Sequence, residues 1–167
     1  MRLRVAVRGG WRAVATAIAV LLLLGPPGGL RAEPRYPPVT PGVALQFPRD
    51  EGAHPEYRLE WWYVTGWVTD GQGATRGFQV TFFRVRTGLA EDNPSRFAPR
   101  HVLFAHAALA IPRHGRLRHA ERSARAGFGL AEATVGRTDV RLDDWSLREA
   151  GAGRYATVVR GEDFAVA

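Results

Sequence analysis

The aromatic segment LEWWYVTGWVT at residues 59–69 constrains the fold more than any other part of the chain. Clustered aromatic and β-branched residues are typical of a β-strand. The turn sequence DGQG follows, and GFQVTFFRV at 77–85 has the same strand composition. The two segments are therefore predicted to form a β-hairpin.

Both faces of this aromatic strand carry large side chains. Because side chains alternate along a strand, Glu60 and Trp62 share one face, and Trp61, Tyr63 and Trp67 share the other. A sheet with one face in water is not expected to have this pattern. We therefore expect both faces to be covered, or one face to line a cavity for an apolar ligand.

The rest of the chain indicates an all-β protein. Residues 33–58 hold six of the eleven prolines and are predicted to be an extended lead-in before a domain at 59–167. No firm period is found over 116–136. The short strands and turns favour an antiparallel meander, hence a barrel or sandwich. Further strands are predicted at 101–111, 138–142, 145–149, 155–160 and 163–167.

The two ends of the chain suggest processing and truncation. Residues 1–32 have a basic start, a short apolar run and a small residue at Ala32, which is the pattern of a cleaved signal peptide. An uncleaved anchor is the alternative. The last segment, 163–167, is an apolar strand pattern without a closing turn, so it would leave an open sheet edge. We therefore expect the chain to be part of a longer protein.

The net charge argues against nucleic-acid binding, and the cysteine content excludes no class of protein. The chain is +7, but residues 1–32 contribute five Arg and no acid, so the remainder is only +2. A basic patch for nucleic-acid binding is therefore not supported. The absence of Cys is compatible with an exported protein without disulfides.

The carboxylate at the start of the aromatic strand has two interpretations. Glu60 packs structurally, paired with an Arg or a Trp N–H, or it stands in a pocket for an apolar ligand. Phe82 and Arg84 share one face of the second strand, so Arg84 could neutralise Glu60 across the hairpin. The structural interpretation is favoured, because most aromatic clusters are core.

The histidines and serines do not form a recognisable catalytic or metal motif. His101 and His106 are five residues apart, which places them on opposite faces of a strand and argues against a shared metal. His106 is interpreted as a core histidine in preference to a proton donor. His54 could close the mouth of a barrel. There is no G-x-S-x-G or H-E-x-x-H motif, and no metal or cofactor is predicted.

Several motifs together resemble a known family. FPRDEGAHPEYRLEWWYVTGWV, GFQVTFFR, GLAEDNPSRFAPR and LFAHAAL are similar to exported AttH-type proteins, which are grouped with carotenoid 1,2-hydratase and often labelled secreted hydrolases. The resemblance covers residues 36–167. It implies a lipocalin-like architecture of two similar barrel-like halves, of which this chain would be the first. It also implies a genomic setting with envelope permeases and ATPases.

The leading functional prediction is an exported periplasmic or envelope protein that binds a lipid or isoprenoid-like ligand. One alternative is a carotenoid 1,2-hydratase-type lyase, with Glu60 or His106 as the catalytic group, because hydration of an alkene needs a buried acid. A second alternative is a non-catalytic partner of an envelope ABC transporter. The residues predicted to contact the ligand are Trp61, Trp62, Tyr63, Trp67, Phe82, His54 and Arg84.

Overall fold

The computed structural model describes residues 35–69 and 71–167, and it confirms an all-β antiparallel fold. Within these ranges nine strands form two sheets, ordered β1-β2-β3-β4 and β5-β6-β7-β8-β9. Two short 3-10 helices, Arg49–Glu51 and Pro112–His114, also occur in the described part. The strands are β1 Leu59–Thr69, β2 Thr75–Arg86, β3 His101–Ala110, β4 Leu117–Arg125, β5 Ala131–Ala133, β6 Asp139–Leu142, β7 Trp145–Glu149, β8 Tyr155–Arg160 and β9 Ala165–Val166.

The predicted hairpin is the first strand pair, and the described strands form two packed sheets. Strands β1 and β2 are antiparallel, as expected from their composition. Among the described residues the sheets pack through β3 and β4 against β5 and β6, and no strand pairing between the two sheets closes a barrel. The signal peptide predicted at 1–32 lies outside the described residues.

The core lies between the two sheets. From the first sheet Val80, Phe82 and Leu103 contribute side chains with almost no exposed surface. Among the described residues Trp145 of β7 is the largest fully buried side chain, and its indole N–H donates to the Arg160 carbonyl at 3.0 Å. A buried Trp usually requires such a partner, so the one polar group of this side chain is hydrogen-bonded inside an otherwise apolar core.

Strand β4 forms where the sequence gives no firm period. It completes the first sheet at the edge of β3, from Val102↔Arg125 to Ala110↔Leu117. Ala120 and Ala124 point to the core and pack against it. Arg118 and Arg122 alternate with these alanines on the same side of the strand, a pattern that is weaker in sequence than the usual β-branched alternation.

In its described residues, 35–58, the lead-in contains no strand, and its end is attached to both sheets. The Ala53 N–H donates to the Thr134 carbonyl at 2.8 Å. The carbonyl of Glu51 accepts the indole N–H of Trp62 at 2.8 Å and the hydroxyl of Thr138 at 3.1 Å. This segment therefore connects β1 with the turn before β6, and it contributes to the polar cluster around Arg84.

Candidate functional site

The two faces of β1 have different environments. The register pairs Glu60 with Arg84 and Trp62 with Phe82 on the inner face, which packs toward the second sheet. Trp61 pairs with Phe83 on the opposite face. The alternation predicted from sequence is therefore correct. It divides the predicted ligand residues into an inner polar and core group and an outer aromatic group.

Arg84 and Glu60 form the centre of the inner group. Arg84 is only 3% exposed, and its Nε donates to Glu60 Oε1. Its Nη2 donates to the carbonyls of His54 at 2.8 Å and Tyr57 at 3.0 Å. The His54 backbone N–H in turn donates to both Glu60 oxygens, at 3.0 and 2.9 Å. The pair therefore fixes the end of the lead-in onto the hairpin, and the Glu60 oxygens are already occupied as acceptors.

Two histidine rings complete the polar cluster. His54 Nδ1 lies 3.2 Å from Glu60 Oε2, on the side that faces the lead-in. His101 Nδ1 lies 2.9 Å from Arg84 Nη1, and because arginine can only donate, this nitrogen must be the acceptor of a neutral ring. Burial, followed by the charge of Arg84, lowers the pKa of His101. Sequence reasoning considered His101 only as a metal ligand and missed this contact.

An open cleft of about 810 Å³ lies beside the polar cluster. Its polar lining includes Asp50, His54 and Glu60, and its apolar lining includes Val39 and Leu45 of the lead-in. Both lead-in side chains are largely exposed. The cleft therefore offers polar groups that are bound to each other and an apolar wall that belongs to an extended segment.

The outer face of the first sheet carries an exposed aromatic surface. Trp61, Tyr63 and Trp67 are 56%, 63% and 78% exposed. Next to Trp61, the rings of Phe83 and Phe104 are stacked with centroids 4.5 Å apart. The expectation that both faces of β1 are covered is therefore not met within the described chain. These five residues form the outer aromatic face.

His106 lies on the outer face and not in the core. Its side chain is 55% exposed, and its ring lies 5.6 and 5.8 Å from the rings of Phe83 and Phe104. Its Nε2 is 3.7 Å from a carboxylate oxygen of Glu121. The prediction that His106 is a core histidine is therefore wrong, because His106 lies on the outer side of β3.

Trp62 and Phe82 are structural by position. Phe82 has no exposed surface, and Trp62 packs against the same core while its N–H is bound to the lead-in. Neither side chain reaches the outer aromatic face, because both lie on the opposite side of the sheet. Only Trp61, Tyr63 and Trp67 of the predicted ligand residues are brought together on one open surface.

In residues 35–69 and 71–167, no group of three His, Asp or Glu side chains is arranged to hold a metal ion. Over the same residues, no helix has the length and hydropathy needed to cross a bilayer.

Over its described residues the chain is thus an all-β protein of two antiparallel sheets with an open aromatic face and a buried Arg–Glu cluster. It belongs to the AttH-like family, whose model matches residues 38–167. The crystal structure of a candidate AttH from Nitrosomonas europaea is similar, with 51% sequence identity and a TM-score of 0.66. A comparison with curated proteins finds no match.

The similarity to this structure is partial in length. The match covers 78% of this chain and 38% of the Nitrosomonas europaea chain. This chain therefore spans well under half of that relative.

Proposed function

We propose that this AttH-like protein binds an apolar, lipid or isoprenoid-like ligand on its outer aromatic face. The observation that carries the proposal is the exposure of three large rings of one strand, Trp61, Tyr63 and Trp67, beside the stacked pair Phe83 and Phe104. Contiguous exposed apolar surface on a soluble domain marks a binding or interaction site.

The energy available from this face is sufficient for binding. Covering about half of each of the three exposed rings would remove roughly 300 Å² from water, worth about 7 kcal/mol before the cost of immobilising the ligand. Aromatic rings are also stiff, so little side-chain entropy is lost when they are covered. An apolar ligand therefore gains more on this face than at the polar cluster on the inner side.

Glu60 is assigned a structural role in this proposal. Its oxygens accept hydrogen bonds from Arg84 and from the His54 backbone, and the nearest rings of the outer face lie across the sheet. Alkene hydration would need a carboxylic acid with a proton to donate toward the substrate. The ion pair with Arg84 gives no specific support to that alternative, so it is not adopted.

Export and a longer architecture belong to the same proposal. The basic and apolar pattern of residues 1–32 supports removal of a signal peptide and location in the periplasm or envelope. The greater length of the Nitrosomonas europaea relative supports a further, lipocalin-like half. Sequencing the N-terminus of the protein isolated from cells tests the first point: a start near Glu33 is expected, and a cytoplasmic protein starting at Met1 contradicts it.

Fluorescence titration tests binding at the outer face. The protein is titrated with 1-decanol, a fatty acid and a lycopene-type carotenoid while tryptophan emission and thermal unfolding are recorded. Binding should quench emission, and a ligand at 100 times its Kd should stabilise the fold by about 2.7 kcal/mol. Tyr63→Ala retains every tryptophan reporter and should weaken binding about tenfold, the ratio that 1.4 kcal/mol represents.

A matched variant separates the outer face from general effects. Tyr155 is also an exposed tyrosine on a strand, but it lies in the second sheet. Tyr155→Ala should leave ligand affinity unchanged. Equal losses for Tyr63→Ala and Tyr155→Ala, or no quenching and no stabilisation with any of the three ligands, would contradict the proposal.

A further inference from the structure

A cluster of arginine and phenylalanine side chains lies at one end of the outer aromatic face. Arg125 is the last residue of β4, and Arg96 and Phe97 lie in the loop between β2 and β3. Phe128 follows β4 and is exposed, as is Phe97. The cluster combines cationic groups with apolar rings, as expected for a surface that contacts a molecule with both characters.

The rings hold the guanidinium groups in place. Phe97 and Phe128 are stacked with centroids 4.9 Å apart. The guanidinium carbon of Arg125 lies 5.3 Å from the Phe97 centroid and 4.6 Å from the Phe128 centroid. That of Arg96 lies 5.7 Å from the Phe128 centroid. Two positive charges are therefore oriented around one ring instead of being free in solvent.

The positive charge of this cluster is not neutralised by the described part of the protein. Arg125 Nη1 donates to the Phe97 carbonyl at 2.9 Å, and no carboxylate there forms an ion pair with Arg96, Arg100 or Arg125. The Nε of neighbouring Arg100 is buried without a hydrogen-bond partner among the same residues. By contrast, Arg84 and Arg86 each have a glutamate partner. Unneutralised arginine donors at this position favour an anionic partner.

The backbone at Phe128 also indicates a constrained position. Its φ is +58°, in the left-handed region that bulky residues rarely occupy. A conformation of this kind is strained and persists only where the surroundings impose it. The strain here keeps an exposed ring under Arg125 and Arg96, where it contributes no core packing.

The cluster is continuous with the proposed ligand surface. In register, Ser123 lies opposite Phe104, and Arg125 lies opposite Val102, one row further along the same face. Successive rows on one face are about 6.7 Å apart. The apolar row of Trp61, Phe83 and Phe104 is thus followed directly by the row that ends in Arg125.

We propose that the ligand is an amphiphile with an anionic end group, whose chain lies on the outer aromatic face and whose end group contacts Arg125 and Arg96. This inference rests on the proposed function and specifies its ligand class. A single amphiphile fits better than a membrane surface, because Arg125 and Arg96 stand at one end of the row of Trp61, Phe83 and Phe104 and do not surround it. Glu121, the acidic residue of β4 on this face, lies two rows away beside His106.

Three compounds with the same chain test the end group. Decanoate, 1-decanol and decyltrimethylammonium are each titrated as monomers at pH 7.5 and low salt. We expect decanoate to bind about tenfold more tightly than 1-decanol and the cation most weakly. The preference for decanoate should decrease as salt is raised, because partly exposed charges are screened.

Arginine variants locate the preference. Arg125→Gln and, separately, the loop variant Arg96→Gln should each reduce the ratio of 1-decanol Kd to decanoate Kd toward one. Arg148→Gln is the matched control, since Arg148 is an exposed arginine of the second sheet. This control should retain the full ratio.

The outcomes separate the two proposals. If neither these compounds nor the lycopene-type carotenoid binds, the proposed function itself fails; if only the carotenoid binds, the anionic end group is wrong. If 1-decanol binds as tightly as decanoate, or if both arginine variants retain the ratio, the ligand is apolar but the anionic end group is wrong. Binding only to vesicles of anionic lipid, with no binding of monomeric decanoate, would also overturn the inference in favour of a membrane surface.

Discussion

Replacing Arg84 with leucine should strongly destabilise the protein. Arg84 is 3% exposed, and it satisfies the Glu60 carboxylate and the carbonyls of His54 and Tyr57. The variant leaves a largely buried carboxylate without its counter-charge and two carbonyls without a donor. Breaking a buried ion pair in this way costs about 3–5 kcal/mol. This is a large part of a typical free energy of unfolding of 5–15 kcal/mol.

Equilibrium unfolding in urea measures this effect and its origin. Arg148→Leu, on the exposed side of β7, should change the free energy of unfolding by less than about 0.5 kcal/mol. The double variant Glu60→Leu with Arg84→Leu should recover part of the loss, because the uncompensated carboxylate is gone. A loss below about 1 kcal/mol for Arg84→Leu alone would refute the structural role given to the pair.

Two further predictions concern residues near the same cluster. Gly52→Ala should destabilise the fold by about 1–3 kcal/mol, because the added Cβ would come within 3.0 Å of the backbone nitrogens of Gly136 and Arg137. Thermal unfolding measures this loss. Gly71→Ala is the control, because a Cβ at Gly71 meets nothing within 4 Å. For His101 the folded-state pKa is lowered, so the unfolded chain takes up the proton first, near pH 6.5, and stability should fall as pH falls from about 7.5 to about 5.5. His101→Gln should reduce this slope, and an unchanged slope would contradict the assignment.

The strands with strong β composition were predictable, and those without it were not. The composition of 59–69 and 77–85 is aromatic and β-branched, and both became strands. Strand β4, by contrast, reads LRHAERSAR and has no β-branched residue. It forms because the edge of β3 is free to pair and because Ala120 and Ala124 fit the core. Such tertiary reasons are not visible in local sequence.

The site was predictable in its alternation but not in its exposure. The alternation of side chains along a strand correctly placed Glu60 on one face of β1 and Trp61 and Tyr63 on the other. Large rings on both faces gave no indication of which face the second sheet would cover. The stack of Phe97 and Phe128 on Arg125 was missed because Phe97 lies in a loop that is far in sequence from the other two residues.

Photo-crosslinking tests the central claim that the outer aromatic face is the ligand site. Decanoate carrying a diazirine near the end of its chain is bound to the protein, irradiated, and the adducts are located by peptide mass spectrometry. The account predicts adducts on Trp61, Tyr63 or Trp67 of β1, or on Phe104 of β3. Adducts confined to residues 39–45 and 53–57, which line the cleft beside His54 and Glu60, would contradict it.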